Sequence, residues 1–226
     1  MRIIATITSL GMGGMIGLVG TVAIASSPEE YRQLGLSYRQ QGRYEEAIAA
    51  LETAVSLEPD HVSGHVILGW TQHLADQDAA AAHTLVHALQ LDPFAIPTAN
   101  ALGIVYLVQD QLVAAMMTHL WAAYLNPDNE IAYFNLSLAA QRMGYDAWAI
   151  ELASRAIALE PYNPHPLIAG AIAHWSKGDQ QQAIQLYRQA ISLSPHYHTR
   201  SLSTYLQAAA FHSEQIGMAN QIRQRY

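Results

Sequence analysis

The chain is 226 residues long, with 51% hydrophobic and 13% charged residues, a net charge of −7 and no cysteine. That length and apolar content suit one ordered domain with a terminal segment. The acidic balance excludes a nucleic-acid backbone as partner, because that requires a basic surface. The missing cysteine excludes disulfides, thiolate nucleophiles, cysteine-ligated metals and lipid attachment to an N-terminal cysteine.

The first element is an uncharged, mostly apolar stretch over residues 3–25. As a helix it would span roughly 35 Å at 1.5 Å per residue, enough for a bilayer core. Two readings compete. Arg2 followed by this stretch and Ala23-Ile24-Ala25 before Ser26 reads as a cleaved secretory signal. The same length with Gly13 and Gly17 on one face reads as an uncleaved anchor. A buried core helix is a third reading. Arg2 lies before the stretch and Glu29-Glu30 after it, so the positive-inside rule sends the rest of the chain across the membrane, to a periplasmic or lumenal side.

Beyond residue 27 one pattern recurs. Leu57-Glu58-Pro59, Leu91-Asp92-Pro93, Leu125-Asn126-Pro127, Leu159-Glu160-Pro161 and Leu193-Ser194-Pro195 are spaced 34 residues apart. Two alanine series keep phase with the prolines: Ala54, Ala88, Ala122, Ala156 and Ala190, and Ala47, Ala81, Ala115, Ala149 and Ala183. Each period predicts two helices with a break between them, at Gln41-Gly42, Ala75-Asp76, Gln109-Asp110, Met143-Gly144 and Lys177-Gly178. The alanines let helices approach closely, Leu34, Leu68, Leu102 and Leu136 fill the space between, and proline ends the second helix. No unit buries its apolar stripe alone, so stacking makes the core. There is no alternating strand pattern.

Tyr31, Leu34-Gly35, Tyr38, Gly42, Tyr44, Ala47, Leu51, Ala54 and Pro59 in the first unit resemble the tetratricopeptide repeat, as do Leu102-Gly103, Tyr106, Ala115, Ala122 and Pro127 in the third. Gln72, His119 and Gly170-Ala171 depart from that pattern. The resemblance implies an all-α, right-handed superhelical solenoid of five helix-turn-helix units (28–61, 62–95, 96–129, 130–163 and 164–197). Residues 198–226 follow as C-terminal capping helices. Leu202, Tyr205, Leu206 and Ala209 read as a sixth first helix, and Ile216, Ala219 and Ile222 lie on a more polar helix that shields the last unit.

The resemblance also implies that first helices line a concave groove that holds a partner. At two groove positions per unit stand Arg32 and Leu36, Val66 and Trp70, Asn100 and Ile104, Phe134 and Leu138, and Ile168 and Ile172, with Leu107 and Trp175 at a third. The lysine-asparagine clamp for a C-terminal carboxylate is missing. Arg32, Arg39, Asn100, Asn135, Gln141 and Arg142 supply polar contacts to an otherwise apolar lining. Such a lining fits a helix or extended segment of a partner; alternatively the chain's own C-terminal helix or a second copy fills it. A second surface is the stripe Val113, Met117, Trp121 and Tyr124, on a helix without charge from Leu112 to Leu125. It reads as an oligomer contact, a docking face, a membrane-leaning surface or packing under a neighbouring element.

Chemistry is not indicated. His61 and His65, and His83 and His87, have helical i,i+4 spacing, and His196 and His198 flank Tyr197, but no third ligand is fixed by spacing. No nucleophile elbow or phosphate loop occurs outside the apolar leader. The expectation is therefore a scaffold without catalysis, metal or cofactor, exported or tethered through residues 3–25. It assists assembly or stability of a membrane protein complex. The alternatives are a permanent subunit of such a complex and, third, a metal- or ligand-binding enzyme.

Overall fold

A computed structural model describes residues 27–198 and 201–226. The leader of residues 1–25, with its signal or anchor reading, lies outside the described residues. Among those described there is no strand, and no helix is long and apolar enough to cross a membrane.

Five helix pairs follow in order: α1 (Pro28–Gln40) with α2 (Tyr44–Leu57), α3 (Val62–Leu74) with α4 (Asp78–Leu91), α5 (Ile96–Val108) with α6 (Leu112–Leu125), α7 (Glu130–Arg142) with α8 (Asp146–Leu159), and α9 (Pro164–Ser176) with α10 (Gln180–Leu193). A 3-10 turn (Pro195–His198), α11 (Leu202–Ala208) and α12 (Ser213–Arg225) complete the chain. The first helix begins with a capping box: the Glu30 amide donates to the Ser27 hydroxyl at 3.2 Å, and the Ser27 amide donates to the Glu30 carboxylate at 3.1 Å.

Each pair reverses at one left-handed residue: Gly42, Asp76, Asp110, Gly144 and Gly178, with φ between 58° and 93°. Glycine takes that conformation without a Cβ clash, and aspartate is among the few residues that tolerate it. Each second helix ends where the residue before proline is pushed out of the helical region; Glu58 and Asp92, for example, have ψ of 75° and 99°.

Both alanine series are buried, and they set the spacing within and between pairs. Within the first two pairs the helices approach closely at Gly35 and Gly69. A Cβ there would stand 2.5 Å from Leu51 Cγ and 2.7 Å from Leu85 Cγ respectively. The first helices α3, α5, α7 and α9 touch in succession, whereas the second helices make no comparable contact with one another. First helices thus occupy the inner, shorter arc of an α solenoid.

The C-terminal segment departs from the expected sixth pair. Leu202 and Leu206 are buried on a helix of only seven residues, which ends at Ala209 and the left-handed Ala210 (φ 63°). From Phe211 the chain turns back, and α12 packs across α9 and α10, shielding the last pair, while its first turn reaches α7 through Gln215. Phe211, Ala219 and Ile222 join Leu107, Phe134, Leu138, Ile168 and Ile172 in one buried cluster.

Candidate functional site

The inner face divides into a filled part and a free part. Over the third to fifth units, Leu107, Phe134, Leu138, Ile168 and Ile172 are buried beneath the C-terminal segment. Phe211 lies 5.7 Å from Phe134, ring to ring. Gln215, itself buried, donates from Nε2 to the Leu138 carbonyl at 3.2 Å and to Gln141 Oε1 at 2.9 Å. Trp175 donates its indole N–H to Gln221 at 3.2 Å, and Arg225 reaches Gln180. Of the fillings open to the apolar lining, the chain's own C-terminal helix takes this part.

Over the first three units no described element covers the face. Leu36, Val66, Trp70, Asn100 and Ile104 are half-buried along it, and Arg39 stands near Thr71. Arg32 is not available as a contact. It is buried, and its guanidinium is held by Glu58 at 2.6 Å and Glu29 at 2.9 Å, which raises its pKa further. At the junction of the two parts lies a cleft of about 440 Å³, bounded by His73, Asp76, Asp78, Leu107, Val108 and Arg142 on the repeats. Gln207, Phe211, His212 and Ile216 close it from the C-terminal side. Arg142 is fixed at its floor, donating to the Leu107 carbonyl at 2.8 Å and pairing with Asp110. A second hollow of about 460 Å³ opens between the starts of α3 and α5, beside Val66 and Pro97.

A polar ladder flanks this face. Asn100 and Asn129 exchange amide hydrogen bonds at 2.9 and 3.3 Å, and Asn163 donates to Glu130 at 3.1 Å. Burial, and then the nearby Glu160, pushes the Glu130 carboxyl up to about 7. Asn135 is also buried, bonded through its amide to the Ile131 carbonyl. Asn129, Asn163 and His61 each cap a first helix. Their shared register, one residue before each helix, was the available sign of the ladder, and sequence reasoning passed over it.

The histidines do not assemble into a ligand set among the described residues. His61 accepts from the Gly64 amide as an N-cap, and His65 bonds the Pro59 carbonyl at 2.6 Å while packing on His87 rather than on His61. The His196 and His198 side chains lie outside what is described.

On the outer face, Val113, Met117 and Tyr124 are 65%, 64% and 76% exposed. Trp121 is half-buried, donating its indole N–H to the Pro93 carbonyl at 2.7 Å between the rings of Phe94 and Tyr124. Phe94 and Leu120 enlarge the patch; neither was marked by the sequence pattern, which followed one register of α6 only.

Sequence models of the tetratricopeptide repeat match residues 28–61 and 171–197. No curated protein matches the chain significantly. Among solved structures, the chain is similar to MamA protein (24% identity, TM-score 0.65, covering 75% of this chain and 92% of that one). It is similar also to TTC0263, a thermophilic protein of the same repeat class from Thermus thermophilus (21%, 0.64, 81% and 98%). A third is YrrB, described as having an unusual peptide-binding site (16%, 0.60, 79% and 91%).

Proposed function

We propose that this tetratricopeptide-repeat solenoid is a non-catalytic protein-interaction scaffold, exported or tethered through residues 3–25, that helps assemble or hold a membrane protein complex. Its working surface is the free part of the inner face, where Leu36, Val66, Trp70 and Ile104 offer a half-open apolar row beside Arg39, His73 and Asn100. That row is the observation that carries the reading, because apolar surface at the inner arc is stabilised by a ligand that covers it. The seat of α12 supports it: the adjoining stretch of the same face already takes an amphipathic helix through apolar side chains and two glutamines, Gln215 and Gln221. The peptide-binding description of YrrB, a protein of similar fold, agrees with this use. The tethering rests on the uncharged leader, and the far-side location on Arg2 before it and Glu29-Glu30 after it.

The test places a photo-crosslinking amino acid at Val66 in cells and identifies what becomes attached. A protein other than this chain is expected, and Trp70→Ala should abolish its capture at a cost of only about 1 kcal/mol in stability. Attachment of the chain's own C-terminal segment alone would overturn the reading. The N-terminal mass of the mature protein separates a cleaved signal, with Ser26 first, from an anchor.

A further inference from the structure

The outer face carries its charges unevenly. Glu45 and Glu52 are exposed on α2, and Glu151 and Arg155 on α8, but the exposed positions of α4 between residues 79 and 90 are alanine, histidine and glutamine, and α6 has no charge at all. Within this uncharged window, Val113, Met117, Leu120 and Tyr124 stand exposed on α6 at spacings of four, three and four residues. That is the spacing of the seam between two paired helices. No described element covers them.

We propose that α6 pairs antiparallel with α6 of a second copy about a two-fold axis passing between Met117 and Leu120. This contact is independent of the inner face and leaves that face free in both copies. Antiparallel register matches sizes: Val113 meets Tyr124 of the second copy, and Met117 meets Leu120. Parallel register would set tyrosine on tyrosine and valine on valine. With Phe94 and Trp121 at its margin, the stripe presents roughly 600 Å² of mostly apolar surface, taking about 150 Å² for each well-exposed aromatic. With the neutral flank of α4 it approaches the ~800 Å² per partner of a stable interface. Trp121 enters the contact already fixed, its N–H satisfied by the Pro93 carbonyl, so no polar group is stranded and little side-chain freedom is lost. A lipid surface fits less well. Helices that lie on membranes carry lysine or arginine along their polar margin. Here the arginine on the neighbouring helix, Arg155, is already engaged with Asp128 and the Pro127 carbonyl.

The natural absence of cysteine makes the register directly testable in the full-length chain, kept in mild detergent. Under oxidation, Met117→Cys and the double variant Val113→Cys/Tyr124→Cys should form disulfide-linked dimers. Val113→Cys alone should not, because antiparallel pairing sets the two copies of residue 113 about 16 Å apart along the axis. Sedimentation should show a dimer forming between about 1 and 100 μM, weakened at least about tenfold by Met117→Arg, with helical content unchanged. A monomer throughout that range overturns the proposal, as does a dimer indifferent to Met117→Arg. Equal crosslinking by Val113→Cys alone overturns the antiparallel register. A monomer whose binding to phosphatidylcholine–phosphatidylglycerol vesicles falls with Met117→Arg would reassign the stripe to lipid.

Discussion

His119 lies against the backbone of Gly103 so closely that a β-carbon at residue 103 would stand 2.4 Å from its Nε2. The equivalent pairs in the first two units are Gly35 with Leu51 and Gly69 with Leu85. The third unit therefore places an imidazole where its neighbours place a plain hydrocarbon. The ring is fully buried, neither nitrogen meets a well-formed hydrogen bond, and burial pushes its pKa down to about 3.

His119→Leu should stabilise the protein by about 1–2 kcal/mol at pH 7, by removing buried polar atoms without partners. The gain should grow in acid. Unfolded His119 takes up a proton near its ordinary value of 6.5, whereas the folded protein resists protonation until about 3. Native stability from this site is thus complete above pH 6.5 and falls by about 1.4 kcal/mol per unit as pH drops from there towards 3. Urea unfolding across that range, comparing the two proteins, measures the slope.

Glu130 slopes the other way. Its folded carboxyl titrates at about 7 against 4.5 unfolded, so its contribution is complete below pH 4.5 and is lost as pH rises to about 7. Glu130→Gln keeps an acceptor for Asn163 and should be more stable than the natural protein by on the order of 2 kcal/mol at pH 8. Between pH 4.5 and 6.5 the His119 and Glu130 slopes oppose each other. Relative to the natural protein, the glutamine variant should lose more stability towards acid, and the leucine variant should lose more towards base.

Phe134 and Trp70 both stand on the inner face of first helices, one helical turn apart in register, yet their substitution should separate stability from binding. Phe134→Ala empties a site packed by Phe211 and should cost about 3 kcal/mol or more. Trp70 is half-buried, 5.0 Å from His73. Trp70→Ala should cost less, about 1 kcal/mol, while removing capture of a partner. Denaturant midpoints and crosslinking yields, measured on both variants, check the contrast.

Gly144 turns between α7 and α8 at φ 79° with open space around it. Gly144→Ala should therefore destabilise through backbone strain alone, by about 1–2 kcal/mol. Its thermal midpoint should fall while its circular dichroism keeps the native shape.

The repeat architecture was legible because its signals are local and recur in phase. The unit starts counted from the prolines, at Pro28, Val62, Ile96, Glu130 and Pro164, are the first residues of α1, α3, α5, α7 and α9. Gly42, Gly144 and Gly178 announced their turns, and Asp76 and Asp110 were found by register. The fate of the inner face was not legible in the same way. Leu202, Tyr205, Leu206 and Ala209 carry helical spacing, but nothing in it records that the helix stops at Ala208, since Ala210 bears no glycine-like signal. The path of α12 depends on Gln215 meeting Leu138 and Gln141 more than 70 residues away. Periodicity reports which face of a helix is apolar; it does not report what covers that face.

Repeat arrays are held together by neighbours alone, so they can be unzipped one unit at a time from either end. The return of α12 changes that for one end only. It ties the third, fourth and fifth units to the chain's last residues through contacts of high sequence separation, making a closed ring of interactions that must give way together. A pull applied at the N-terminus would peel the first and second units in turn and then meet a clasped block that resists as a whole.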